Sequence, residues 1–212
     1  EGGLVVTDDT GLAARCVLLS GSYMLYDRHR AAPAPEVFEA LRLDVPNVSG
    51  RMDNLRAAIL RPQIALLPDR AARWIALYRV LEQGLDQTNG LRLIPRPAAE
   101  TFVPSSFQFT LPGWEANRVM ALVARCGARG VELKWFGAPD PVGFTSRYAH
   151  WRYAAPQGLP QTDAVLAGLI DMRLPLTFAP DDAALIARII RAEVLAVGQG
   201  EVAPVTSLVM GD

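Results

Sequence analysis

Cysteine is nearly absent from this chain: Cys16 and Cys126 are the only two, they stand 110 positions apart, and there is no CxxC pair. Histidine is as scarce, with His29 and His150 alone. These counts exclude a disulfide framework and a thiolate–imidazole zinc site, and they fit a reducing cytoplasm. Lysine is rarer still, because Lys134 is the only one among 21 basic residues. It is therefore the one side chain of this chain able to form a Schiff base with a carbonyl cofactor. No apolar run approaches the roughly 20 residues that cross a bilayer; the sequence shows no signal peptide, but it opens on Glu1-Gly2-Gly3 rather than on a methionine, so the true N-terminus is expected to lie upstream. Neither sign of charge dominates; a formal net charge of -1 argues against nucleic acid or an anionic membrane as the surface's main partner. The phosphate loop of nucleotide hydrolases, GxGxxG after a strand, HExxH and the GxSxG elbow are all missing.

What is there is a 212-residue chain, half hydrophobic and 20% charged, which reads as soluble and globular, with one sizeable domain or two small ones. Leu4-Val5-Val6 predicts a short strand, and Asp8-Asp9 caps a helix over 10–19 with Leu12, Cys16 and Leu19 as its buried stripe. Residues 20–48 lose periodicity and read as a long irregular connection, with Ala31 to Pro35 a loop. Tyr23, Tyr26, Arg28 and His29 are its chemically capable groups. Asn47 to Ile59 is a polar, glycine-containing loop running into a helix, the kind of helix start that can hold an anion or simply be capped. From Met52 the helical pattern puts Leu55 and Ile59 on one face, with Pro62 kinking or breaking it. A second helix starts near Asp69, buries Ala71, Ile75, Tyr78, Leu81 and Leu85, and stops at Thr88-Asn89-Gly90.

Pro95, Pro97 and Pro104 mark the passage into a smaller lobe. There Ser106 to Leu111 alternates as a half-buried strand, Val119, Leu122, Val123 and Cys126 form a helical stripe, and Val131 to Phe136 is the next strand. Residues 137–160 are irregular and carry Arg147, Tyr148, His150, Trp151, Arg152 and Tyr153. Asp163 is read as the cap of a short helix to Ile170, Arg173 to Leu176 as a last short strand, and Asp181-Asp182 as the cap of a final helix with Ile186, Ile190 and Val194 inward. The paired carboxylates fall at helix starts, where caps and dipoles account for them without acid–base chemistry. Lys134 sits mid-strand, where a side chain reaching the sheet edge competes with a chemical role.

Three stretches resemble a known family. Glu1 to Asp9 followed by a helix is similar to the segment just after the catalytic lysine in the DegT/DnrJ/StrS family of pyridoxal-phosphate (PLP) aminotransferases, within fold type I. Ser49-Gly50-Arg51-Met52-Asp53-Asn54-Leu55-Arg56-Ala57-Ala58-Ile59 resembles that family's polar residue, aromatic and Arg-Met ahead of a helix rich in Ala-Ala-Ile. Arg173-Leu174-Pro175-Leu176 before a helix resembles the Leu-Pro-Leu that ends its small domain. The matches fall in family order and spacing and together cover residues 1 to about 195.

The resemblance implies an α/β fold: the end of the large domain of a fold-type-I PLP enzyme with connecting helices (1–94), then a small α+β C-terminal domain (95–197) and a tail (198–212). It implies the C-terminal half of an aminotransferase that moves an amino group from an amino acid to a keto-sugar or other small ketone. The catalytic lysine is expected upstream of Glu1, and Lys134 does not match it. The implied cofactor is pyridoxal 5'-phosphate, shared across a cytoplasmic homodimer, with no nucleic-acid or membrane partner. Ser49 stands where the family has an asparagine that reaches the neighbouring subunit's cofactor phosphate, with Asn47 two residues earlier and Gly50 replacing the aromatic. Ser49, Asn47 and Arg51 are thus the candidate cofactor-binding residues, and Tyr23, Lys134, His150 and Arg152 the candidate substrate-binding residues. The competing readings are another fold-type-I PLP enzyme (aldolase, lyase or desulfurase) and a non-catalytic binding or dimerisation module.

Overall fold

A computed structural model of the protein describes residues 3–21, 26, 29, 32–46, 48, 50–141, 147–151, 155 and 157–200. The chain divides into two compact units, Glu1–Leu66 and Leu67–Asp212. The long helix expected with the residues ahead of Pro95 lies in the second of them.

The first unit holds helices α1 (Thr10–Leu19), α2 (Pro35–Glu39) and α3 (Asn54–Ala65). Asp9 caps α1 by accepting the Leu12 N–H at 2.9 Å. The buried residues of α1 are Ala14, Val17 and Leu18, not the expected Leu12, Cys16 and Leu19. Almost every residue of this helix is apolar, so periodicity does not select a face; the neighbour does. That neighbour is α2, whose Phe38 is fully buried and stacks on Tyr26 at 4.3 Å between ring centroids. Pro35, read as loop, instead starts α2, where its missing N–H costs nothing and its fixed φ suits the first turn. Leu4, Val5 and Val6 are exposed and lie in no strand, because a strand needs a paired neighbour and the described residues of this unit supply none. The chain stays helical through Pro62 to Ala65, and Leu55 and Ile59, expected inward, are 71% and 56% exposed.

The second unit begins with α4 (Leu67–Leu85), which buries Leu77, Tyr78, Leu81 and Leu85 before two left-handed residues, Gln87 and Gly90, turn the chain. Strands β1 (Arg92–Leu93), β2 (Ser106–Thr110), β3 (Lys134–Trp135) and β4 (Leu169–Arg173) form one antiparallel sheet in the order β1-β2-β4-β3. Helices α5 (Ala116–Ala128), α6 (Pro160–Gly168) and α7 (Pro180–Gly198) complete the unit. Phe107 and Phe109 on β2 lie opposite Met172 and Ile170 on β4, and these four side chains, with Trp135 of β3 beside Ile170, belong to the core. Helix α7 packs against both α4 and α5, so one helical layer covers that face.

Two expectations in this unit move. The strand read at 173–176 is β4 at Leu169–Arg173, and Ile170 lies in it rather than at a helix end. Helix α6 starts at Pro160 and stops at Gly168, whose carbonyl accepts the Leu111 N–H at 3.0 Å. A Cβ at Gly168 would stand 2.7 Å from the Leu111 carbonyl oxygen, so the helix-to-strand switch needs glycine there. Asp163 therefore sits inside the first turn of α6 and is not its cap. Asp182 does close the start of α7, accepting the Ala179 N–H at 2.8 Å, and Ile190 and Val194 point inward as expected.

One charged group is buried where α5 meets α7. Glu193 accepts from Arg125 Nε at 2.5 Å and from Arg129 Nη1 at 2.8 Å. Burial pushes its carboxyl up, but the hydrogen bonds and charges of the two arginines together hold it below its usual value. Cys126 beside it goes the other way: burial, with the nearby Glu193 charge adding, pushes its thiol up to about 12. It is a packing residue, protonated and unreactive.

Candidate functional site

Asn47 and Ser49 lie outside the described residues, and so do Tyr23 and Arg152. Arg51, in the same loop, is described and exposed. Two residues on, Asp53 closes the start of α3: its Oδ1 accepts the Arg56 N–H at 2.8 Å and its Oδ2 pairs with Arg56 Nη1 at 3.1 Å. A carboxylate already occupies this helix start, so the N–H groups there do not make an open anion site. Among the described residues of the loop, what is offered to an anion is the Arg51 guanidinium.

Lys134 lies on β3, half-buried, with its Cα opposite Asp171 of β4, which in turn lies opposite Gln108 of β2. Gln108 Nε2 donates to Asp171 Oδ1 at 3.2 Å, and Asp171 is only 6% exposed. These three polar residues share the face of the sheet opposite Phe107 and Phe109, and opposite charges set side by side across strands stabilise the pairing. Asp171 received no role from the sequence; a lone acid between Ile170 and Met172 in an apolar run was the available signal. Lys134 lines a cleft of about 320 Å³ together with Glu132, Met172, Arg173, Phe178 and Ile186.

The loop between β3 and α6 is held by His150. Its Nδ1 accepts the Arg147 N–H at 3.0 Å, and its Nε2 lies 2.9 Å from the Pro139 carbonyl oxygen. A ring that accepts at Nδ1 and donates at Nε2 is the neutral Nε2–H tautomer, as assigned from its partners. Both nitrogens are thus spent on the main chain, and a histidine read as a substrate contact sits here as a clip joining residues 139 and 147. Tyr148, next in sequence, donates its hydroxyl to Asp163 Oδ2 at 2.9 Å and so ties the loop to α6. Burial first, and that bond second, push the Tyr148 phenol above its usual value. Arg147 has its Nε buried and, among the described residues, without a hydrogen-bond partner.

Among the described residues no group of three or more His, Cys, Asp or Glu could hold a metal, and no helix is long and apolar enough to cross a membrane.

Residues 1–191 match the model of the DegT/DnrJ/EryC1/StrS aminotransferase family. Sequence comparison with curated proteins yields no significant match. Among solved structures, the chain is similar to the aminotransferase TlmJ from Streptoalloteichus hindustanus, at 19% identity and a TM-score of 0.62, over 78% of this chain and 47% of that one. It is similar to S. venezuelae DesV, solved in complex with a ketimine intermediate, at 21% identity and a TM-score of 0.58, over 76% of this chain and 45% of that one. DesI, solved in the presence of its TDP-sugar product, aligns at 17% identity and a TM-score of 0.62, over 92% of this chain and 45% of that one. The likeness is one of fold, and the chain spans under half the length of each of these structures.

Proposed function

The chain belongs to the DegT/DnrJ/EryC1/StrS aminotransferase family, and from that premise we propose that it is the C-terminal half of a PLP-dependent enzyme that transfers an amino group from an amino acid to a keto-sugar. The observation that carries this reading is the family match across residues 1–191. Structures of similar fold point the same way, since one was solved with a ketimine intermediate and another with a TDP-sugar product.

Pyridoxal phosphate, when bound, supplies the electron sink for the chemistry at the amino acid's carbon. This chain's share is to hold and orient. Arg51 fits a phosphate: it is exposed, and among the described residues it makes no hydrogen bond or ion pair, while Asp53 is engaged by Arg56. Ser49 and Asn47, a hydroxyl and an amide in the same loop, add uncharged donors to that cation. The loop serves a homodimer in which each copy lends it to the other's cofactor. The first unit, Glu1–Leu66, is then the end of the large domain, and the second, which takes in α4 and β1, is the small domain.

The test is made on the full-length protein. It should show a visible absorbance band from bound cofactor that changes when an amino donor is added, and Asn47→Ala with Ser49→Ala should lower cofactor retention about 10-fold or more, the loss of one to two charge-assisted hydrogen bonds. Absence of the band in the full-length protein overturns the enzyme reading. A double variant that retains cofactor like the wild type overturns the phosphate assignment alone.

A further inference from the structure

We propose that Arg147 binds an oxyanion of the substrate and that His150 is its positioning residue, an inference that rests on the aminotransferase reading above and names the chemistry its substrate must carry. The loop holding Arg147 is pinned on both sides. Its own N–H donates to His150 Nδ1, its carbonyl accepts the His150 N–H at 3.0 Å, and the same imidazole donates through Nε2 to Pro139. One residue later the Tyr148–Asp163 hydrogen bond fastens the loop to α6. A main chain fixed at three points sets where the Arg147 side chain leaves it.

The guanidinium so placed is incomplete. Its Nε is buried from solvent and among the described residues has no partner, whereas buried donors in folded proteins nearly always have one. Four carboxylates of the unit already have partners. Asp163 accepts from Tyr148, Asp171 from Gln108, Glu193 from Arg125 and Arg129, and Glu100 from Arg96. A planar fork that keeps Nε free matches one acceptor best, the paired oxygens of a phosphate or carboxylate, which receive Nε–H and Nη–H in parallel. The pre-set loop makes that recognition efficient, since the ordering of the arginine is done before the ligand arrives.

Two substrate groups carry such oxygens: the diphosphate of a nucleotide-linked keto-sugar and the α-carboxylate of the amino donor. Steady-state kinetics on the full-length holoenzyme separates them, using a keto-sugar with and without its nucleotide diphosphate as acceptors and L-glutamate as donor. Arg147→Ala should raise one KM about 10- to 100-fold with little change in kcat, the loss of a charged hydrogen-bond pair. A rise confined to the nucleotide-linked acceptor assigns the site to the diphosphate, and a rise for glutamate assigns it to the carboxylate. Arg147→Lys, which keeps the charge but has no donor at the Nε position, should show an intermediate rise and serves if the alanine variant misfolds. His150→Ala should raise the same KM, and His150→Asn, whose Oδ1 can accept the Arg147 N–H, should recover part of it. If no KM moves in either folded Arg147 variant, or if His150→Ala raises a different KM, the proposal is wrong. If wild-type holoenzyme shows no cofactor band change with any amino donor, the aminotransferase reading fails instead.

Discussion

At the scale of single residues, the close approaches decide most. Gly137 stands two residues past the end of β3, and a Cβ there would stand 2.5 Å from the Leu166 carbonyl oxygen, 2.7 Å from Trp135 Nε1 and 2.9 Å from the Ala167 Cα. Two of those neighbours are main chain, so they cannot swing aside, and the third is the indole nitrogen that donates to the Ala167 carbonyl at 2.9 Å. Gly137→Ala must therefore push α6 away from β3 and stretch that hydrogen bond. Overpacking of this kind costs about 1–3 kcal/mol. Urea unfolding should show the loss, and a variant within 0.5 kcal/mol of wild type would mean that α6 yields freely. The same scale shows what the sequence could and could not say of the site. Arginines, tyrosines and a histidine crowded into residues 147–153 marked the loop as chemical, but which of them faces a ligand depends on partners far along the chain. His150 is used up by Pro139, eleven residues back, and Tyr148 by Asp163, fifteen residues on. No local pattern reports such pairings, and they turn a candidate contact into a support and leave Arg147, among the described residues of the stretch, with a donor to spare.

At the scale of elements, helices and strands with one clear neighbour were legible, and those whose neighbour had to be known were not. The clamp between α5 and α7 shows what a neighbour adds. Glu193 sits below its usual value of 4.5 in the folded chain, held there against burial by Arg129 and Arg125. A carboxyl depressed on folding contributes stability at pH values above its unfolded value, and that contribution is lost as pH falls through the folded value. Stability supplied by this clamp should thus be complete near neutrality and fade below about pH 4.5. Glu193→Gln should be less stable than wild type by about 1–3 kcal/mol at pH 7, the cost of breaking charged hydrogen bonds at a buried position. The gap should narrow as pH drops below 4.5 and through the carboxyl's lowered folded value. A gap that stays constant across that range would show that the charge does not matter and only the shape does. The sequence displayed the α5 stripe of Val119, Leu122, Val123 and Cys126 and the alternation of Phe107 and Phe109; all are buried except Val123, which is half-buried. Both elements have one apolar face and one polar face, so their period alone orients them. Helix α1 has no such contrast, α2 is five residues long, and β4 carries Asp171 inside its apolar run; each takes its place from what packs on it.

At the scale of the whole chain, the two units differ in how much core each owns. The second has an uninterrupted cluster running from Leu77 through the sheet to Val194, with Phe107, Phe109, Leu122, Ile170 and Ile190 fully buried. The first has Ala14, Val17, Leu18, Tyr26 and Phe38, and its last helix, α3, buries none of its residues. Helices in water are marginal at about 12–15 residues unless an apolar face packs. Twelve-residue α3 has Pro62 inside it and Leu55, Ile59 and Ile64 exposed. Local opening tracks the apolar contact an element would lose. Hydrogen exchange on the 212-residue chain should therefore protect the amides of β2, β4 and α7 to the level of global unfolding. The α3 amides should exchange orders of magnitude faster, within minutes at neutral pH. In the full-length homodimer proposed above, where α3 follows a loop that serves the partner's cofactor, the same amides should become slow, because docking removes Leu55, Ile59 and Ile64 from water. The α3 amides are thus a reporter on the assembly: equal rates in the two forms would show that α3 is not part of the dimer's shared site, and slow exchange in the isolated chain would show that α3 holds itself together without it.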